Sequence, residues 1–495
     1  MFRICSTIIL CAAFGLAQEA VQVSSYFFQG NFNPQREGSP AMVPSNPAGT
    51  NSFITDNVLG QPRTVYDIQG SDSPKSAQGG VTYTGAKGKI GIENYSVELV
   101  FAIMGSNGWR RVFDCNNRFY SEGLYIDPSG YLNYYSGLAT DSKIIPGTYY
   151  HVVLVKKPGQ LSLYLNGALL GTRANGSDLG LMNPIYNADQ LMSFLLDDGT
   201  GEWAPGRIAL FRVYSGGLTA AEIKEISASP FTSTVGLPKP GFQSSGIVNS
   251  ASYVSSNAIA PGGFFSIFGT DLADISGDWG QSFTSNIAPR RLNNVRVLVN
   301  DQESYVVFTS PGQVNALAPD NLVDGPVTVV IENGTLRSTV VQSTSRRVNP
   351  AVFRFSAQNN RYLASTANDG SAYIAPPNLF GTNGSLNGLA IRAARPGEYI
   401  VLYGTGLGPT TPSVPTGQIP PSRDGGYPLS NSAEVRLTLN GQTTTVRPYY
   451  TGLSSFPGLN QIVFQVPDVA NGEYEAMIVV AGQSSPAGAY LPIAR

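Results

Sequence analysis

The chain has 495 residues, only 13% of them charged, with a formal net charge of −2; such a chain lacks the positive field that a phosphate backbone demands, which excludes nucleic acid as an expected partner. Its 55 glycines and 34 prolines exceed ordinary usage while 42% of residues remain apolar, which excludes disorder and fits a turn-rich, all-β globular chain. At roughly 150 residues per domain, the length predicts about three domains.

The chain begins MFRICSTIILCAAFGLAQEA, with Arg3 ahead of an apolar run from Ile4 to Leu16 and small residues Gly15 and Ala17 placed for a signal peptidase. This predicts a signal peptide over residues 1–17 and export of a chain starting at Gln18. Cys11 follows Leu10 instead of the small residue that lipid attachment needs. Cleavage would remove Cys5 and Cys11 and leave Cys115 alone, so no internal disulfide is expected and stability must come from packed cores. The closing GAYLPIAR carries no membrane tail. The expectation is a secreted or extracellular protein, bacterial in style, with no membrane insertion.

Residues 18–228 alternate short strand-like runs with turns. In GQLSLYLNGALLG, Leu161, Leu163 and Leu165 alternate ahead of Asn166-Gly167, a dipeptide suited to a two-residue hairpin turn. In LTAAEIKEI, Thr219 and Glu222 have the spacing of a capping box, which predicts one short helix. Within this stretch LLDDGTGEW gathers Asp197, Asp198 and Glu202 in a glycine-rich loop. These are hard oxygen ligands of the kind calcium takes, and the alternative is a solvated acidic turn. Trp109, Asn116, Asn117, Arg118, Tyr120 and Trp203 combine aromatic faces with amides and a guanidinium, the chemistry that holds a sugar ring.

The segments NYSVELVFAI, GWRRVFDCNNR, GLYIDPSGYLNYY, TYYHVVLVKKPGQLSLYLNG and GRIALFRVYSGGLTAAEI, in that order, resemble a laminin-G-like domain of the concanavalin A-like lectin and glucanase superfamily. The resemblance implies a jelly-roll sandwich of two antiparallel sheets, a scaffold that serves sugar binding, protein binding and, in relatives, glycoside hydrolysis. Calcium sites are common in that superfamily. Hydrolysis requires two carboxylates roughly 5 to 9.5 Å apart, and this half contains no Glu-x-Asp or Glu-x-Glu pair to set them on one strand face. Glu473-Tyr474-Glu475 has the spacing but lies far downstream, where solvated strand carboxylates are expected. The single histidine, His151, reads as a packing or hydrogen-bonding residue, and Cys115 as a small apolar strand residue. No Gly-x-Ser-x-Gly elbow occurs.

Residues 229–245 are rich in Pro, Ser, Thr and Gly without periodicity and read as a linker. Beyond them PGGFFSIFGTDL, from Pro261, is nearly repeated as PGEYIVLYGTGL from Pro396. VRVLVND from Val295 is echoed by VRLTLNG from Val435, and Gln313 with Pro319-Asp320 by Gln461 with Pro467-Asp468. These blocks, recurring in one order, define a duplication, with immunoglobulin-like repeats over 246–350 and 391–495 and a connector over 351–390. The repeated string is expected to be a core strand. IVNSASY, APGGFFSIFGTDLA, SPGQVNALAP, VLYGTGLGPTTP and NQIVFQVP together resemble the uncharacterised C-terminal domain of secreted proteins from soil acidobacteria such as Solibacter.

The predicted fold class is therefore all-β, a jelly roll followed by two immunoglobulin-like sandwiches. The expected function is non-catalytic recognition of a glycan or cell-surface protein by the laminin-G-like head, presented on a sandwich stalk. The alternatives are an extracellular glycan hydrolase and a structural envelope or matrix component.

Overall fold

The computed structural model describes residues 19–495 except 106, 136, 175–184, 255–257, 357–360 and 382–383. The expected signal peptide, with Cys5 and Cys11, lies outside the described residues. The chain divides into two compact units, residues 1–238 and 239–495. Both are built of β-sheet, and no helix among the described residues is long and apolar enough to cross a membrane.

The first unit is a jelly-roll sandwich of an eight-stranded and a six-stranded sheet. Tyr95–Ile103 runs centrally in the larger sheet, between Tyr150–Lys157 and Gly206–Ser215, and every one of its residues is buried. Its alternation explains why: Val97, Leu99, Phe101 and Ile103 enter the core, while Ser96, Glu98, Val100 and Ala102 point to the opposite face, which is covered as well. The hairpin turn falls at Asn166-Gly167, whose φ angles of 49° and 84° place both residues in the left-handed region. Helix Ala220–Ala228 carries the capping box of Thr219 and Glu222 and lays Ile223 and Ile226 against Val153, Val155 and Tyr214.

Under that helix lies a buried ionic network. Glu98 pairs across the strands with Arg212, whose Nη1 donates to Oε2 at 2.7 Å, and Tyr214 Oη donates to the same oxygen at 2.8 Å. The His151 ring joins Glu98 Oε1 at 3.0 Å to Ser227 Oγ at 2.8 Å, so the single histidine is a hydrogen-bonding element of the fold. Burial alone would push the Glu98 carboxyl up, but Arg212, His151 and Tyr214 outweigh it and hold the group below the usual range.

The stretch expected as a linker is largely folded. Arg212 Nη2 donates to Pro230 O at 2.9 Å, the Arg63 guanidinium lies 3.7 Å over the Phe231 ring, and Gln22 N donates to Gly236 O at 2.6 Å. From Gly241 the chain is already a strand, Gly241–Asn249, paired with Phe264–Thr270. Composition concealed this because the segment is held through backbone carbonyls and one aromatic ring, neither of which produces periodicity.

The second unit holds two sandwiches of matching strand order. Gly241–Asn249, Phe264–Thr270, Gln313–Leu317, Tyr305–Ser310 and Gly277–Asp278 form one sheet of the first; Ala351–Val352, Tyr399–Thr405, Asn460–Gln465, Tyr450–Leu453 and Tyr427–Pro428 form its counterpart in the second. Val295–Val299 and Ala433–Leu439 occupy equivalent places in the partner sheets. This arrangement is compatible with the immunoglobulin-like repeats expected. Phe265 and Ile267 of one repeated string, and Ile400 and Leu402 of the other, fill the two cores. The strings also meet: Phe264 N donates to Thr405 Oγ1 at 2.9 Å, and Thr405 Oγ1 donates to Gly458 O at 3.2 Å. Residues 351–390, expected as a connector, instead contribute strands: Ala351–Val352 and Ser365–Ala367 pair with Tyr399–Thr405, and Ala372–Ile374 extends the same sheet.

Glu98→Gln leaves the Arg212 charge buried without its counter-ion and should destabilise the first unit by about 3–5 kcal/mol in denaturant unfolding. Because the folded Glu98 pKa is depressed, its contribution is fully present above the unfolded value of about 4.3 and is lost as pH falls through the folded value. The wild-type protein should therefore shed stability below that window, and Glu98→Gln should lack this component.

Candidate functional site

The site is organised by Arg111, on strand Arg110–Asp114 of the smaller sheet. A register shift between Arg111 and Phe113 against Gly123–Ile126 breaks the alternation, so Arg111 and Asp114 meet on one side, with Arg111 Nη1 3.0 Å from Asp114 Oδ2. Both side chains are fully buried. Arg111 Nε lies 3.4 Å from Asp197 Oδ1, Nη2 lies 3.5 Å from Asp198 Oδ1, and the guanidinium also donates to Tyr125 Oη and the Tyr120 carbonyl. One cation thus ties the loop after its own strand to the acidic loop that follows Met192–Phe194.

Gln78 completes the junction. Its Oε1 accepts from Asp197 N at 3.0 Å and from Arg118 Nη2 at 2.9 Å, while its Nε2 donates to Gly199 O at 2.9 Å. Asp114 Oδ1 accepts the backbone N–H of Arg118 at 2.8 Å, which folds residues 115–118 into a tight turn with Asn117 and Arg118 at φ 56° and 55°. Asp72 holds the far side, accepting from the N–H of Gly201 at 2.5 Å and of Trp203 at 3.0 Å.

Carboxylate oxygens of Asp197, Asp198 and Glu202 lie within 4.8 Å of one another. Burial first, then the adjacent Asp198 and Glu202, push the Asp197 carboxyl up to about 6 against the pull of Arg111. Burial likewise raises Asp114 despite Arg111 and the N–H groups it accepts. Asp197 Oδ1 and Glu202 Oε2 are both buried without a hydrogen-bond partner. Asp197 Oδ1 has only the Arg111 ion pair at 3.4 Å and Glu202 Oε2 makes no hydrogen bond; a hard cation among the three carboxylates would answer both, so the donor set is of the kind calcium takes.

The sugar-contact residues expected from sequence divide sharply. Tyr120 is exposed, and with Phe119 and Tyr186 forms an aromatic shelf: Phe119 stacks on Tyr186 at 4.8 Å and 22°, and Tyr120 meets Tyr186 edge-on at 4.6 Å. Trp109 is half-buried and packs edge-on against Tyr125 at 6.0 Å and Tyr135 at 5.5 Å. Asn117 is exposed at the turn. Three others are corrected. Trp203 is buried, its indole N–H donating to Gly79 O at 2.9 Å, so no ring face is open to a sugar. Asn116 is wholly buried. Arg118 spends its guanidinium on Asp197 O, at 2.7 Å, and on Gln78; it positions the acidic loop and is not offered to solvent chemistry.

Sequence reading missed Phe119, Tyr135 and Tyr186. Phe119 was signalled by its place beside Tyr120 in NNRFYSEG; Tyr135 and Tyr186 carry no local signal, since an aromatic residue reads as core until its surroundings are known. Cys115 is buried, as a small apolar residue would be. In the second unit Glu473 accepts from Arg361 at 2.7 Å and from Tyr362, and Glu475 Oε1 accepts from Gly488 N at 2.6 Å, so that pair is engaged in structural contacts.

Residues 76–224 match the sequence profile of the concanavalin A-like lectin/glucanases superfamily, of the laminin G type. The match does not extend to residues 245–495, and the resemblance of that region to an acidobacterial C-terminal domain finds no support in these comparisons. No curated protein matches the chain. Among solved structures, the chain is similar to domain 4 of AbnA, a GH43 extracellular arabinanase from Geobacillus stearothermophilus in complex with arabinotriose, with 16% identity, a TM-score of 0.33, and coverage of 42% of this chain and 100% of that one. It is also similar to the Trypanosoma rangeli sialidase, with 14% identity, a TM-score of 0.27, and coverage of 38% of this chain and 34% of the sialidase. It thus spans about a third of the sialidase's length.

Two substitutions of opposite sign test the site's electrostatics in chelator-treated protein. Arg111→Ala leaves Asp114 and Asp197 buried without their cation and should cost about 3–5 kcal/mol. Asp197→Asn removes a carboxylate whose ionised form the fold disfavours, and should raise stability by about 1–3 kcal/mol at pH 7.5. Thermal unfolding of both variants beside the wild type gives the comparison.

Proposed function

We propose that the first unit is a calcium-dependent, non-catalytic recognition module of a secreted protein, and that its ligand is a glycan or a glycan-bearing surface protein. The observation that supports this reading is the adjacency of two unlike surfaces. Phe119 and Tyr120 project from the loop that Arg111 ties to the acidic cluster, and Tyr186, from a separate segment, completes the shelf against them. Asp198, which Ser121 Oγ approaches at 3.2 Å, stands on the shelf side of that cluster. Aromatic faces take the C–H surface of a pyranose, while a cation held by Asp197, Asp198 and Glu202 would fix the loop and offer a ligand position to sugar hydroxyls. That cation would bring charge neutralisation and oxygen coordination; the chain's own residues supply the stacking surface and the rigid loop base.

The hydrolase reading draws on one feature, a carboxyl group raised to about 6 beside two others. Against it, the three carboxylates cluster within 4.8 Å of one another, two of them paired with one guanidinium, instead of flanking a space for a sugar ring. A purely structural role leaves the exposed aromatic shelf without a use.

In pull-downs against a panel of insoluble polysaccharides, the wild-type chain should be retained more strongly with calcium than with EDTA on at least one of them. Phe119→Ala/Tyr120→Ala should reduce chelator-sensitive retention by roughly tenfold, the equivalent of about 1.4 kcal/mol, without a change in melting. Reducing-sugar assays on the retained material should stay at the blank. Retention with no calcium-dependent part, a calcium-dependent part that ignores the double substitution, or steady release of reducing ends, would defeat this reading.

A further inference from the structure

The two sandwiches of the second unit are copies, so each serves as a control for the other. In each, the strand bearing the repeated string sends alternate side chains into the core and the rest outward. The outward set is Phe264, Ser266 and Phe268 in the first copy, and Tyr399, Val401 and Tyr403 in the second. The segment that follows crosses this face in both. In the first copy it seals it: Trp279 packs on Phe264 at 6.1 Å and on Phe283 at 5.1 Å, with Tyr305 and Leu317 in the same cluster. Only the far end of the strand, at Phe268, stays exposed.

In the second copy the equivalent segment contains no tryptophan, and residues 419–427 leave a groove of about 1030 Å³. Tyr399 and Tyr449 stand in it edge to face at 5.8 Å, 42% and 81% exposed, beside Val463 and Gln461. Tyr450 is fixed against the backbone, since a Cβ on Gly452 would come within 2.5 Å of its hydroxyl, which donates to Leu453 O at 3.1 Å. The amide counterparts differ as well. Gln313 of the first copy spends its Nε2 on Asn315 Oδ1 at 2.8 Å, whereas the side-chain amides of Gln461 and Asn368, both lining the groove, make no hydrogen bond among the described residues.

We propose that this groove is a carbohydrate-binding site that takes a neutral oligosaccharide, a site separate from that of the first unit. Exposed tyrosine faces match the C–H surface of a sugar ring, and unspent amides, each both donor and acceptor, match vicinal hydroxyls. A lipid chain is disfavoured because the lining mixes amides and hydroxyls with its apolar floor. The groove's one ionic side chain among the described residues, Arg423, lies 5.9 Å over Tyr427 and donates Nη1 to Gly426 O at 2.9 Å. A single cation, already partly spent on Gly426 O, is a poor match for the repeated carboxylates of a uronate chain, so neutral sugars are favoured over uronates.

The test is affinity electrophoresis of the full chain in gels containing xylan, arabinan, mixed-linkage β-glucan, galactomannan or polygalacturonate, with EDTA present. At least one neutral polysaccharide should retard the wild type, and Phe119→Ala/Tyr120→Ala should be retarded equally, which separates this site from the first. Tyr399→Ala/Tyr449→Ala should weaken the association roughly tenfold or more with an unchanged melting curve. Tyr449→Ala alone, which removes a side chain that packs little, should give a partial loss. The proposal is overturned by absence of retardation in every neutral gel, by retardation that survives the tyrosine substitutions, by retardation in polygalacturonate alone, or by capture of a decaproline peptide that the same substitutions abolish.

Discussion

A buried guanidinium is costly unless its hydrogen bonds and its charge are both answered, and Arg111 imposes that constraint on the first unit. Answering it draws Asp114 from its own strand, Tyr125 from the next strand, and Asp197 and Asp198 from a loop far downstream in the sequence. The geometry of the acidic cluster follows. Asp197 is where it is because Arg111 attracts it and Gln78 holds its backbone, and Tyr120 projects because its carbonyl is held from below. A single guanidinium shared among three carboxylates leaves anionic oxygens under-satisfied, so the proposed cation affinity would share its origin with this structural requirement.

The same sandwich uses a second ionic network to different effect. Glu98, Arg212, His151 and Tyr214 satisfy one another and reach Ser227 and Pro230. No orphaned oxygen is found on Glu98, and the network's product is attachment of the helix and the segment after it. Two buried clusters of similar composition thus diverge: the closed one stabilises, and the open one offers chemistry. A parallel contrast separates the duplicated sandwiches, where Trp279 closes a face that the second copy leaves lined with tyrosine. Duplication preserved the core strand and freed the outward face to change.

Local features were legible in the sequence. The Asn166-Gly167 turn, the Thr219–Glu222 capping box and the doubled string are each set by residues a few positions apart, and the structure realises all three. Asp197, Asp198 and Glu202 were likewise found because they are neighbours in the chain. What escaped depends on distant contacts or on irregular backbone. Arg111 and Asp114 should point to opposite faces of a regular strand, and only the register shift between Arg111 and Phe113 joins them. Trp203 and Arg118 looked available because exposure is a tertiary property. The linker reading placed the boundary between the two units within 229–245, where it falls, but missed that residues 229–238 are folded, because they are held by carbonyls that any sequence possesses.

The account stands most directly on whether the cluster around Arg111 binds one cation. Isothermal titration of calcium into chelator-stripped protein at pH 7.5 measures this without reference to any ligand. One saturable site per chain is expected, abolished by Asp197→Asn/Glu202→Gln with the fold retained, and markedly weaker with magnesium, whose small octahedral shell suits a loop of this kind poorly. A wild-type titration with no saturable heat, or a site that persists unchanged in the double variant, would contradict the account.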